Sequence, residues 1–76
     1  MNIPTLTIVS ATRDHVDLTV DGERCLVSRR AVAVALDHMT VAETTMHPLA
    51  GVPLSLGQWL AMRDAMGAAK LAEAAR

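Results

Sequence analysis

An Asp-Gly pair between two runs of alternating apolar residues constrains this fold more than any other feature of the sequence. Asp21 and Gly22 separate residues 16–20 from residues 23–27. Such a pair is typical of the two-residue turns that join antiparallel strands, because both turn residues need a positive φ. A turn at this position fixes the register of the two strands. That register puts four side chains on one face of a hairpin: Val16, Leu18, Cys25 and Val27.

A further strand is predicted before this hairpin. Leu6 and Ile8 alternate with polar residues over residues 4–10, although Val9 interrupts the polar face. Residues 11–14 are mostly polar and predict a turn. We therefore expect a three-stranded antiparallel β-meander that is apolar on one face and polar over most of the other.

A helix is predicted directly after the third strand. Ser28 is a favourable N-cap, and Val27 and Val32 occupy the positions of a hydrophobic staple. We expect the helix to reach about Met39 and to turn an apolar stripe to the core. Val34 and other apolar residues lie on a second side of this helix. A helix that is apolar nearly all round is expected to be covered on more than one side.

Residues 40–54 leave two interpretations open. Thr40 and Glu43 have the spacing of a cap for a short second helix, whereas the β-branched residues nearby favour a strand. Pro48, Gly51 and Pro53 then interrupt regular structure. We expect an irregular or partly helical connection.

A long helix is predicted over about residues 56–75, because Ser55 and Gln58 form a capping box. Its apolar residues form two neighbouring stripes, and Arg63 and Lys70 lie between them, seven residues apart. The expected fold class is therefore α+β, a three-stranded antiparallel β-meander followed by a short helix and a long C-terminal helix packed on one face. We expect residues 1–76 to form a single small domain.

The composition predicts a small core. The chain of 76 residues contains one tryptophan and neither phenylalanine nor tyrosine. A core with so few aromatic rings buries less area, which suggests stabilisation by a partner such as a second copy. The single Cys25 excludes an intrachain disulfide and favours a reducing, cytoplasmic location. Abundant alanine and arginine with little lysine or asparagine suggest a GC-rich bacterial or phage gene.

An apolar helix face is the clearest functional signal, and it has two interpretations. One stripe of the last helix carries an aromatic anchor and adaptable methionines, and the other carries leucines. Either both stripes belong to the core, or one contacts a partner. The second interpretation predicts a non-enzymatic protein-binding module, a small bacterial or phage-encoded adaptor or inhibitor that forms a homodimer. Its interface residues would be Trp59, Met62, Met66, Leu56 and Leu60.

Two other classes of function stay open. Arg29 and Arg30 begin a helix, where they could contact phosphate, and with Arg13 and Arg24 they could serve a small nucleic-acid-binding regulator. The formal net charge of −1 argues against a dedicated nucleic-acid binder. Soft ligands at Cys25, His38 and His47 could form a metal or redox site, but their spacing matches no metal signature. No catalytic, metal or cofactor residue is assigned, and no apolar run is long enough to span a membrane.

Overall fold

The computed structural model describes residues 4–75 and confirms the α+β class. These described residues form five strands and two helices in the order β1–β2–β3–α1–β4–β5–α2. The strands are β1 (Leu6–Ala11), β2 (His15–Val20), β3 (Glu23–Ser28), β4 (Met46–Leu49) and β5 (Val52–Ser55). The helices are α1 (Arg29–Ala42) and α2 (Leu56–Ala74).

The first three strands form the predicted antiparallel meander, in the order β1-β2-β3. Asp21 and Gly22 have φ values of 51° and 88°, as the turn requires. The register pairs Val16 with Val27 and Leu18 with Cys25, which confirms the core-facing stripe. Asp21 also accepts a hydrogen bond of 2.9 Å from the Thr5 amide through its Oδ1 atom, so the turn holds the start of β1.

A β-bulge explains the apolar residue on the polar face of β1. The register shifts between Ile8 and Ser10, which leaves Val9 as the extra residue. The side chain of Val9 is therefore exposed. The bulge lets residues on both sides of it keep their inward and outward alternation.

Helix α1 begins as predicted and ends later. The Ser28 hydroxyl accepts a hydrogen bond of 3.1 Å from the Ala31 amide, and the helix continues to Ala42, where Glu43 caps it in the left-handed conformation. The stretch from Thr40 therefore extends α1 and starts no second helix. Val34 is exposed, so this chain covers α1 on one side only, contrary to the expectation from its sequence.

A second hairpin replaces the irregular connection expected over residues 40–54. Strands β4 and β5 pair around a turn at Ala50 and Gly51, whose φ values are 51° and 83°. Pro48 lies opposite Pro53, one pair beyond the pair that flanks the turn. Residues at such a position do not bond each other across the hairpin, so neither proline removes a hydrogen bond between the strands.

Helix α2 closes the core over both sheets. Ser55 and Gln58 form the predicted capping box. Within residues 4–75 the core contains eleven buried residues from both helices and from β2, β3 and β5: Val16, Leu18, Val20, Val27, Val32, Ala35, Met39, Leu54, Trp59, Met62 and Met66. Trp59 donates a hydrogen bond of 3.0 Å from Nε1 to the His47 carbonyl oxygen. This bond satisfies the buried indole and ties the second hairpin to α2.

We predict that Trp59→Ala lowers the free energy of unfolding by about 3–5 kcal/mol, because it empties the largest volume of the core. Trp59→Phe keeps a ring but removes the indole hydrogen bond to the His47 carbonyl oxygen, which should cost about 0.5–1.5 kcal/mol. Urea denaturation followed by circular dichroism measures both. Leu71→Ala, at an exposed position, is the control and should change stability little. A Trp59→Ala protein with wild-type stability would contradict this assignment.

Candidate binding groove

A groove lies between α1 and α2 on the surface of the molecule. The two helices run antiparallel. The start of α2 is near the end of α1, because the Leu56 amide donates a hydrogen bond of 2.7 Å to the Thr45 carbonyl oxygen. The cavity has a volume of about 310 Å³. This is at the lower end of the ~300–1,000 Å³ range of ligand pockets and suits a few side chains.

Each helix contributes the same kind of stripe to the groove. The residues recur at i, i+3, i+4 and i+7, which is the spacing of one helical face. The stripe of α1 consists of Arg29, Val32, Ala33 and Leu36. The stripe of α2 consists of Arg63, Met66, Gly67 and Lys70. Both stripes therefore have an apolar middle, and each extends for about 10 Å along its helix.

The groove is open because small residues occupy its middle. Ala33 and Gly67 lie in the middle of the two stripes, whereas the other residues of each stripe carry longer side chains. A Cβ atom added to Gly67 would meet no heavy atom within 4 Å. Packing therefore does not require glycine at this position, although glycine inside a helix costs about 1 kcal/mol relative to alanine. The missing side chain leaves open space above the apolar floor.

The rim of the groove carries four cations and no carboxylate among its described lining residues. Arg13, at the turn between β1 and β2, joins Arg29, Arg63 and Lys70. Within residues 4–75, no carboxylate lies within 4.0 Å of the side-chain nitrogens of Arg29 or Lys70. Since the formal net charge of the chain is −1, the rim is a local concentration of positive charge.

The structure places the predicted interface residues differently. Trp59, Met62 and Met66 are at most 3 % exposed and belong to the core of this chain. Their side chains therefore offer almost no surface to a partner, and only the edge of Met66 reaches the groove. Leu56 and Leu60, on the neighbouring stripe, are half-buried.

The four arginines proposed for phosphate contact do not share one face. Arg24 lies opposite Thr19 on the outer face of the sheet, where it forms a two-point ion pair with Asp17. Arg13 and Arg29 line the groove, whereas Arg30 is exposed and does not line it. The nearby carboxylates Asp17 and Asp21 are engaged elsewhere, Asp17 by Arg24 and Asp21 by the Thr5 amide.

The soft ligand residues are only partly brought together. The rings of His38 and His47 are 5.2 Å apart, and His47 also packs edge-on against Trp59. Cys25 packs against the core as a partly buried side chain. In the described part of the chain, no group of three or more histidine, cysteine, aspartate or glutamate side chains could hold a metal ion.

The spacing of the groove residues along each helix could be read from the sequence, but the contact between the two helix faces could not. Arg63 and Lys70 stand seven residues apart on α2, and Arg29 and Leu36 have the same spacing on α1. The repeated spacing indicates two matching faces. Only the antiparallel packing of the helices shows that these faces adjoin.

Fold and groove together define a small α+β domain with a cation-rimmed apolar cleft between two helices. No protein-family model matches this sequence, and no curated protein and no solved structure matches it either. Over residues 4–75, neither helix is both long and apolar enough to cross a membrane.

Two glycine substitutions should have opposite effects on stability. Gly67→Ala should raise the free energy of unfolding by about 0.5–1 kcal/mol, because it improves helix propensity without a clash. Gly22→Ala also meets open space, but the φ of +88° strains any side chain, so it should lower stability by about 1–2 kcal/mol. Chemical denaturation measures both. Equal effects of the two substitutions would contradict the left-handed conformation of Gly22 and the helical conformation of Gly67.

The ion pair on the outer face of the sheet predicts a shifted titration. The side-chain hydrogen bonds from Arg24 lower the pKa of Asp17; desolvation opposes this effect and the positive charge of Arg24 adds to it. A lowered pKa in the folded state means that the pair stabilises the fold at neutral pH. This contribution is lost as the pH falls through the lowered pKa.

Carboxyl chemical shifts measured by NMR should therefore show Asp17 titrating below the usual aspartate range. Arg24→Gln should raise the pKa of Asp17 toward the ordinary value, whereas Arg30→Gln should leave it unchanged. An Asp17 that titrates normally in the wild type would contradict the ion pair.

Proposed function

We propose that this chain is a non-enzymatic protein-binding module, an adaptor or inhibitor that holds an apolar segment of a partner protein in the groove between α1 and α2. The main support for this function is the open space at Gly67. Gly67 leaves space in the middle of a helix stripe although no neighbouring atom requires it. An open apolar floor between two helices is suited to accept side chains from another protein.

The groove also replaces the surface expected from the sequence. Trp59, Met62 and Met66 hold the two helices in place from below, so they support the groove without forming its exposed walls. Ala33 and Leu36 provide the accessible apolar contacts from the side of α1, whereas Val32 is buried. A segment bound there would be occluded from other proteins, which is how a small inhibitor without an active site can act.

A second copy of the chain is the other partner expected from the sequence. Because the core already uses the buried stripe of α2, a homodimer would need other apolar residues, such as Val34 and Val41 on the outer side of α1. These residues are seven apart and lie on one helical face. Light scattering over a concentration series tests this expectation independently of the groove.

A nucleic-acid ligand fits the groove less well than a protein segment. A phosphate backbone would satisfy the rim cations but would leave the apolar floor without a contact. Of the arginines considered for phosphate, Arg24 is engaged by Asp17 and stands on another face. The apolar floor therefore favours the protein-binding function.

The proposal is tested by selecting peptides from a random display library on the immobilised protein. We expect a convergent family of peptides with apolar residues, whose binding weakens at least tenfold in Gly67→Leu, because the leucine fills the groove. Gly57→Leu makes the same change at an exposed position in the first turn of α2 and should leave binding intact. Backbone NMR spectra confirm that both variants fold.

Two results would overturn the groove as the binding surface. The first is a library that yields no convergent family on the wild-type protein. The second is a family that binds Gly67→Leu as well as it binds Gly57→Leu.

A further inference from the structure

The charges around the groove specify the chemistry of its occupant. We propose that the groove binds an acidic apolar segment of a protein, whose apolar side chains enter between the helices and whose carboxylates meet the rim cations. This inference rests on the proposed function and adds the chemical character of the partner. Four cations and no carboxylate stand among the described lining residues, which makes the groove complementary in charge to an anionic segment.

Three of the four cations gather at one end of the groove. The Arg29 amide donates a hydrogen bond of 2.7 Å to the Asp14 carbonyl oxygen, which holds the start of α1 beside the turn that carries Arg13. Arg13 in turn lies 3.9 Å from Glu73, one turn of α2 beyond Lys70. Because the helices are antiparallel, Arg63 lies toward the other end.

Among the described residues, acidic side chains near the rim contact two of its cations. The Nε atom of Arg13 is 3.7 Å from Oδ2 of Asp14 and 3.9 Å from Oε2 of Glu73. A guanidinium nitrogen of Arg63 is 3.4 Å from Oδ1 of Asp64. All these side chains are more than half exposed, and exposed ion pairs of this kind contribute little. A carboxylate bound in the groove can therefore compete with them.

Arg29 and Lys70 are the principal anchors in this arrangement. Within residues 4–75 no carboxylate lies within 4.0 Å of either side-chain charge. The first turn of α1 contains no acidic residue, so the positive end of its dipole adds to the charge of Arg29. The two residues belong to opposite walls, and a segment between them can contact both.

Three synthetic peptides test the charge requirement. Each is a short alanine-based helix with a leucine stripe, flanked by glutamate in the first, glutamine in the second and lysine in the third. We expect the glutamate peptide to bind roughly tenfold more tightly than the glutamine peptide, because two or three partly exposed ion pairs each add up to about fivefold. Titrations followed by the methyl signals of Val32, Leu36 and Met66 locate the binding.

Two double variants of equal net charge provide the control. Arg29→Gln with Lys70→Gln should remove most of the preference for glutamate over glutamine. Arg24→Gln with Arg30→Gln removes the same charge away from the groove and should retain the preference. Added salt should weaken the binding of the glutamate peptide and leave the binding of the glutamine peptide nearly unchanged.

The possible failures are distinguishable. Glutamine and glutamate peptides that bind the groove equally would overturn the acidic partner and leave the protein-binding function standing. No groove shift with any of the three peptides would count against both proposals. Decanoate, an anionic amphiphile that is not a peptide, serves as a further probe. If it bound the groove more tightly than the glutamate peptide, the assignment of a protein segment would be overturned.

Discussion

The packing of one tryptophan determines how the second hairpin, β4 and β5, packs against helix α2. Trp59 is the only aromatic residue of the phenylalanine, tyrosine and tryptophan type in the chain, and it is almost completely buried. Its ring fills the space between α2 and the second hairpin, and its indole N–H bonds the His47 carbonyl. Together with the buried Leu54, this contact holds β4 and β5 against the helices, because a hairpin of two four-residue strands is not stable by itself.

The composition of the core also explains why the groove exists. With a single large ring available, the methionines of α2 and the small aliphatic residues of α1 must fill the rest of the interior. They fill it beneath the helices and not between their outer edges. Ala33 and Gly67 face each other's helix with little or no side chain, so the gap stays open toward solvent. A larger residue at either position would extend the core at the expense of the groove.

Local signals in the sequence predicted most of the fold. The Asp21-Gly22 turn and the Ser28 and Ser55 caps depend on residues close together, and all three appear as expected. The second hairpin was missed because Ala50 occupies a left-handed position without the usual asparagine, aspartate or glycine. Two prolines in its strands further concealed it, since proline in a strand is tolerated only where no ladder bond is needed.

The groove could not be predicted because it depends on contacts between distant residues. Periodicity divided α2 into two apolar stripes but did not show which one faced the core, and the stripe with Trp59 proved to be buried. The proposed binding surface is then the boundary between that stripe and the basic residues beside it. On such a boundary the same helix must bury one face for stability and keep the next face open. Gly67 keeps the groove face of α2 open but lowers the stability of the helix. Such a compromise is expected where a binding surface lies beside a very small core.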